Sequence, residues 1–116
     1  MKKFCAIYLG TAASREKWSK LDDATRKQRE QQGMKAWGDW VTKNKAAIVD
    51  TGSPLGKTKR ADGKGISDTS NAMTAYTIVQ AESHAAAAKL FENHPHFTIF
   101  PGDSVEVMEC LQIPGA

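Results

Sequence analysis

The sequence is poor in the residues that build metal sites and disulfide frameworks. It has only two cysteines, Cys5 and Cys110, and three histidines among its 116 residues. Two isolated cysteines make neither a metal-binding signature nor a disulfide framework. We therefore predict a cytoplasmic protein without metal or cofactor, in which both thiols stay reduced and act as small apolar side chains.

Long apolar runs are also missing. The opening segment "MKKFCAIYLGTAAS" resembles a signal peptide in its two lysines, its apolar run and its small residues. Its apolar run, residues 4–9, is too short for a secretory core, and charge returns at Arg15. No stretch approaches the roughly 20 residues of a transmembrane helix. We expect no membrane partner.

Neither sign of charge dominates. The 16 basic and 13 acidic residues leave a net charge of +3, and many of them alternate over residues 15–45. A nucleic-acid-binding protein more often collects lysine, arginine and exposed aromatic residues on one surface. The only candidate cluster consists of Lys57, Lys59, Arg60 and Lys64. We therefore expect no nucleic-acid partner.

The size and composition are those of one globular domain, residues 1–116. Apolar residues make up 41% of the chain and charged residues 25%, which excludes global disorder. A chain of this length buries one modest core and has no room for a second domain.

The first half of the chain predicts a strand, a long helix and a short second strand. Residues 3–9 alternate apolar side chains on both faces. A polar approach leads to a helix capped by Asp22 or Asp23, which runs to about Asn44, with Gly33 as a possible kink or break. Its core-facing stripe consists of Met34, Trp37, Trp40 and Val41. The short second strand, in "AAIVDTGSPLG", is followed by a loop that contains glycine and proline.

The second half predicts a strand, a helix and a strand. "RADGKG" supplies a tight turn, and residues 74–81 form the third strand. Ser83 caps a second helix, which Pro95 ends. The inward face of that helix consists of Ala87, Leu90, Phe91 and His94. The last strand covers residues 104–110.

This order, β-α-β-β-α-β, predicts an α+β ferredoxin-like sandwich. In that fold two helices cover one face of a four-stranded antiparallel sheet. The first strand is apolar on both faces, so its uncovered side would expose an apolar patch on a monomer. We therefore predict a homodimer in which two sheets close face to face.

Four segments in this order resemble the YCII-related and DGPF family of dimeric α/β-barrel proteins. They are "MKAWGDWV", "DTGSPLG", "YTIVQAESHAAAAKLFENHPHF" and "PGDSVEVME", which together span nearly the whole chain. The resemblance implies the same fold and the same homodimer. It also implies a histidine and aspartate pair in the enzymatic members, on the first helix and immediately before the helix-ending proline. Here His94 precedes Pro95, the first helix has no histidine, and the DGPF signature is reduced to Asp62-Gly63.

The sequence suggests a ligand cleft between the first helix, the sheet and the 52–56 loop. We expect it to bind a small, aromatic or carboxylated metabolite through five residues: Tyr8, Trp37, Ser53, His94 and His96. Lys57, beside Ser53, would hold an anionic group at the mouth. The aromatic residues would equally serve a core. "GSPLGKT" is not a phosphate loop, because only three residues separate its glycines.

Two other functions remain open. In the first, the protein is a cofactor-independent isomerase or lyase acting on a cyclic metabolite, with His94 as general acid or base and Asp50 or Asp62 orienting it. In the second it is an interaction module without a ligand. A helix C-terminus at His94 would favour its cationic form, whereas desolvation would oppose it. A plain role as a buried, hydrogen-bonded residue is the alternative. Asp50 would otherwise cap a turn.

Overall fold

A computed structural model describes residues 1–115 of the chain. Within these residues lie six strands and four helices, in the order β1 (Lys2–Leu9), α1 (Ala12–Ser19), α2 (Asp23–Lys43), β2 (Ile48–Asp50), β3 (Thr58–Asp62), β4 (Gly65–Thr69), β5 (Met73–Ala81), α3 (His84–Lys89), α4 (Pro95–Thr98) and β6 (Ser104–Glu109).

Four of the strands form one antiparallel sheet in the order β2-β5-β1-β6. The central strand β1 pairs with both β5 and β6, so that Cys5 lies opposite Ile78 on one side and Met108 on the other. With β3 and β4 set aside as an inserted hairpin, this is the strand order of the ferredoxin-like fold. The predicted α+β fold class is confirmed.

The hydrophobic core lies on one face of this sheet, under α2 and α3. Alternation along β1 turns Phe4, Ala6 and Tyr8 inward, and all three are fully buried. The core also includes Trp40 of α2, Val79 and Ala81 of β5, Ala87 of α3, and Phe91. The opposite face carries the other apolar set of these strands, including Cys5, Ile7 and Ile78, which are only partly buried.

The long helix α2 follows the prediction at both ends but differs along its inward stripe. Asp22 caps it, with its side chain accepting a hydrogen bond from the backbone of Thr25. The helix runs through Gly33 without a break. Met34 is 70% exposed, so the prediction that it belongs to the core stripe is wrong. It lies instead beside the cavity described below, where little of this chain covers it.

The region around Pro95 also differs from the prediction, because Pro95 begins a helix and does not end one. α3 stops at Lys89, and Asn93 adopts a left-handed backbone conformation with φ of 56°. His94 is then the N-cap of the short helix α4, with Pro95 in its first turn. Proline suits that position because its missing N–H has no partner there in any case.

Besides α4, three elements were not predicted: α1, β3 and β4. The polar approach contains α1, whose N-cap Thr11 accepts a hydrogen bond from the backbone of Ser14. The segment around "RADGKG" forms the β3–β4 hairpin, nearly all of whose residues are exposed. The radius of gyration is 16.1 Å, where about 13 Å is usual for this length.

Candidate ligand-binding site

A cavity of about 510 Å³ opens between α2, the loop after β2, strand β5 and the segment around α4. This volume lies in the range of small-molecule sites. We call it the aromatic cavity, because three aromatic residues and a histidine help to line it. Its lining residues are Met34, Trp37, Gly38, Thr51, Gly52, Ser53, Pro54, Thr74, Ala75, Tyr76, His96 and Phe100.

The loop on one side of the cavity, residues 52–56, is held against β5 by backbone contacts. Leu55 donates a hydrogen bond of 2.8 Å to the carbonyl oxygen of Thr74, and the Ser53 carbonyl accepts one of 3.3 Å from Tyr76. Gly52 begins the loop at φ of 72°, where any Cβ atom would lie 1.7 Å from the Tyr76 oxygen. Only glycine allows this close approach. Asp50 completes the turn by accepting a 2.8 Å hydrogen bond from the Gly52 backbone.

A buried chain of hydroxyl groups supports the same loop from below. The Thr77 hydroxyl donates to the carbonyl oxygen of Thr51, at 3.0 Å. Its oxygen is then free to accept from the Tyr8 hydroxyl, at 2.9 Å. Burial raises the pKa of Tyr8 to about 12, partly offset by the hydrogen bond to Thr77. Tyr8 therefore stays protonated, and its hydroxyl donates its hydrogen bond to Thr77 inside the protein, below the cavity.

His96 is the histidine in the cavity wall. It is 6% exposed, and its Nε2 atom lies 2.8 Å from the carbonyl oxygen of Leu9. A carbonyl only accepts, so Nε2 carries the proton and Nδ1 of the neutral ring is an acceptor. Among residues 1–115, no side chain or backbone group forms a hydrogen bond with that Nδ1 atom. His96 therefore has one nitrogen fixed by the fold, and its side chain forms part of the cavity wall.

The neighbourhood of His96 keeps its ring neutral at pH 7. Burial lowers its pKa, opposed by the Leu9 carbonyl, the negative charge of Asp103 and the Ser104 backbone. Gly102 packs directly on the ring, since a Cβ atom there would lie 2.3 Å from His96 Nε2. The ring is thus clamped in one orientation, with a carboxylate close enough to stabilise a transient positive charge.

His94 lies behind His96 and is fully buried. Its Nδ1 accepts a 3.0 Å hydrogen bond from the backbone of His96, while Nε2 has no hydrogen-bond partner among the described residues. The ring is surrounded by Trp37, Trp40 and Tyr8, with ring centres 4.5, 4.7 and 5.1 Å away. Burial and then the charge of His96 lower the pKa of His94 to about 4. The predicted position of His94 at a helix C-terminus is wrong, because His94 caps a helix N-terminus, and the predicted opposing effect of desolvation lowers the pKa.

Asp103 links the cavity to helix α1. Its carboxylate accepts hydrogen bonds from the Thr11 backbone and from the Ser14 hydroxyl, each at 2.5 Å. The Ser14 and Thr11 hydrogen bonds lower the pKa of Asp103, with a smaller contribution from His96. Asp103 therefore remains a carboxylate that fastens the start of α1 and faces the charge of His96.

The structure separates the residues selected from the sequence into two groups. Trp37, Ser53 and His96 line the cavity, whereas Tyr8 and His94 are buried beneath it. Neither of the two carboxylates proposed as partners of His94 lines the cavity. Asp50 lines a separate surface depression beside Val41 and Lys45, and Asp62 accepts a hydrogen bond from the Lys64 backbone at the hairpin tip.

Sequence reasoning missed Phe100 and Asp103. Phe100 lines the cavity and packs so closely on Gly33 that a Cβ atom there would lie 2.5 Å from its ring. The glycine inside an otherwise regular helix was the available signal, because such a glycine often marks a close approach. Asp103 carried a weaker signal, an acidic residue in the turn that precedes a strand.

The remaining histidine, the two cysteines and the helices bear on other kinds of site. Across residues 1–115, no three histidine, cysteine or acidic side chains come together as a metal site. In the same range, no helix is long and apolar enough to cross a membrane. His84 lies away from the cavity, with Nε2 2.7 Å from the carbonyl oxygen of Val107. Cys5 in β1 and Cys110, directly after β6, are both free thiols.

Comparison with known proteins gives a likeness of fold. No protein-family model matches the chain, and no curated protein sequence matches it. A solved structure of 5-chloro-2-hydroxyhydroquinone dehydrochlorinase from Burkholderia phenoliruptrix AC1100, in complex with 2,5-dihydroxybenzoquinone, is similar with a TM-score of 0.53. The two are 19% identical, and the match covers 90% of this chain and 89% of that one. The chain therefore has the fold of that dehydrochlorinase.

Proposed function

We propose that this chain is a YCII-related protein that binds a small aromatic metabolite in the aromatic cavity. The cavity itself is the observation that carries this proposal. It is large enough for a single substituted ring, and Trp37, Tyr76 and Phe100 line it. Pockets that combine apolar walls with a few placed polar groups are typical of small-molecule sites.

The polar groups in the wall favour a ligand with ring hydroxyl or carbonyl groups. Ser53 is exposed at the rim and donates or accepts through its hydroxyl group. His96 offers an acceptor nitrogen, because its other nitrogen is tied to Leu9. A phenolic hydroxyl donating to His96 would give its Nδ1 atom a hydrogen-bond partner. The 2,5-dihydroxybenzoquinone bound in the similar dehydrochlorinase structure is a ring of this kind.

We propose further that the protein acts as a homodimer. The sheet face opposite the core carries Ile7, Ile78 and Met108 across three neighbouring strands. Met108 is 45% exposed, and the other two are partly buried. An apolar face of this extent favours a partner, and the YCII-like sequence segments favour a second copy of the same chain.

The binding proposal is tested by calorimetric titration with 2,5-dihydroxybenzoquinone, using two histidine variants. His96→Gln changes the cavity wall. His84→Gln is the matched control, because His84 also holds a backbone carbonyl through Nε2 but lies outside the cavity. We expect the wild type and His84→Gln to bind alike and His96→Gln to bind about tenfold more weakly, the scale of one hydrogen bond to a ligand. Equal binding by all three proteins would remove the proposal.

A second candidate function is a cofactor-independent isomerase or lyase acting on a cyclic metabolite. The free Nδ1 atom of His96 favours it, with Asp103 stabilising the imidazolium that forms when this nitrogen takes a proton. In this version His96 replaces His94 as the general acid or base, since His94 is buried behind it. Deuterium incorporation into a bound cyclic ketone in heavy water, abolished in His96→Gln, is the expected result. The third possibility, an interaction module, predicts that no aromatic probe binds.

A further inference from the structure

A second depression of about 680 Å³ lies directly beside the aromatic cavity. We call it the basic groove. It is built from α1, from the end of the 52–56 loop and the chain that follows it, from the base of the β3–β4 hairpin, and from the start of β5. Its lining residues are Arg15, Leu55, Gly56, Lys57, Thr58, Lys59, Asp68, Thr69, Ser70, Asn71, Met73 and Thr74.

The charges of the basic groove are unbalanced. Its lining includes three basic residues and one acidic residue. The acidic residue, Asp68, is paired with Lys59 at 2.7 Å. Arg15 and Lys57 form no ion pair and no side-chain hydrogen bond among residues 1–115. Two cations from different parts of the chain are thus left facing one concave surface, an arrangement that attracts an anion.

The cavity and the groove share a wall. Thr74 lines both, and the 52–56 loop passes from one to the other. Ser53 and Pro54 line the cavity, whereas Leu55 and Gly56 line the groove. The loop is fixed at this boundary by the hydrogen bond from Leu55 to Thr74. A ligand seated in the cavity therefore reaches the groove by extending past Thr74.

We propose that the ligand is an aromatic acid, whose ring occupies the aromatic cavity and whose carboxylate, on a short chain, lies in the basic groove between Arg15 and Lys57. This inference rests on the proposed function and adds the chemical class of the ligand. Arginine suits the carboxylate because its planar guanidinium donates two parallel hydrogen bonds. The aromatic cavity alone has no such cation in its wall.

The test compares 3-(2,5-dihydroxyphenyl)propanoate with its primary amide, by calorimetry on the full chain at low ionic strength. The two probes share a ring and a chain length, so the difference in their affinities measures the carboxylate alone. The test variant is Arg15→Gln with Lys57→Gln. The control is Lys45→Gln with Lys64→Gln, which removes the same charge from residues that line other depressions.

We expect the wild type and the control to bind the acid about tenfold more tightly than the amide, which is the scale of two exposed charge contacts. The Arg15 and Lys57 double variant should lose this preference and bind the amide unchanged. If the wild type binds acid and amide equally, or if the double variant keeps the preference, the carboxylate does not lie in the basic groove. The proposal for the aromatic cavity would then still stand. Failure of both probes to bind would also contradict the proposal that the aromatic cavity binds an aromatic ligand.

Discussion

The buried ring of His94 accepts a 3.0 Å hydrogen bond from the backbone nitrogen of His96. One histidine thereby caps the short helix that carries the other, and the second histidine lines the aromatic cavity. The arrangement gives the two residues different roles. His94 caps the helix from behind the cavity wall, and His96 is the residue that we propose contacts a ligand.

The first prediction concerns stability in mild acid. Burial lowers the pKa of His94 from 6.5 to about 4, so the unfolded chain takes up a proton more readily between these values. The stabilisation from neutral His94 is complete above pH 6.5 and is lost as the pH falls towards 4. It amounts to about 3 kcal/mol. Urea unfolding at a series of pH values should show the free energy of unfolding decreasing over this window.

The control for this prediction is His94→Gln, which keeps an acceptor for the His96 backbone and cannot titrate. At pH 7.5 we expect it to cost about 1 kcal/mol, as for an imperfect hydrogen-bond replacement. Between pH 6.5 and 4 its stability should change much less than that of the wild type. A variant with the same decline as the wild type would show that His94 is not the titrating group.

The second prediction compares two glycines of α2 that have different surroundings. A Cβ atom at Gly38 meets nothing within 4 Å, whereas one at Gly33 meets the Phe100 ring at 2.5 Å. Gly38→Ala should stabilise the protein by up to about 1 kcal/mol through helix propensity. Gly33→Ala should be less stable than Gly38→Ala by about 1–3 kcal/mol, because the Phe100 ring must move. Thermal unfolding of the two variants side by side measures this difference.

The third prediction tests the homodimer. Light scattering at micromolar concentration should give twice the 12.7 kDa of one chain. Ile78→Glu places a charge on the partly buried apolar sheet face and should give a folded monomer. Ile66→Glu, on the hairpin where Ile66 is 77% exposed, is the control and should remain dimeric. A wild-type chain that scatters as a compact monomer would refute the dimer.

The fourth prediction concerns the two thiols. Burial and the neighbouring Cys110 raise the pKa of Cys5, whereas Cys110 itself is exposed. Since the thiolate is the reactive form, iodoacetamide at pH 8 should label Cys110 well before Cys5. Mass spectrometry at timed intervals resolves the two sites.

Much of this fold was predictable because its signals are local. Alternation marked both faces of β1 and β5, and side-chain caps marked the starts of α2 and α3 at Asp22 and Ser83. The hairpin β3–β4 escaped because it buries almost nothing and so lacks an apolar pattern. Pro95 was assigned to the wrong end of a helix, since proline is compatible with a first turn as well as with a stop.

The candidate site was less predictable, because its contacts join distant parts of the chain. Trp37, Ser53 and His96 were selected from the sequence and meet at one cavity. The same reasoning favoured His94 as the reactive histidine, since helical spacing placed it inward. It does lie inward, but it is buried behind the cavity wall. Only the fold shows which of two histidines separated by one residue reaches the ligand side.

We propose the aromatic cavity as the binding site, and a variant that fills this cavity gives the most direct test. Gly38 lines the cavity, and a Cβ atom there has open space around it. Gly38→Trp should therefore occupy the cavity while the helix stays intact, and Gly38→Ala is its control. In calorimetric titration with 2,5-dihydroxybenzoquinone, the wild type and Gly38→Ala should bind alike, and Gly38→Trp should bind more weakly by about tenfold or more. Undiminished binding by a folded Gly38→Trp protein would contradict the account.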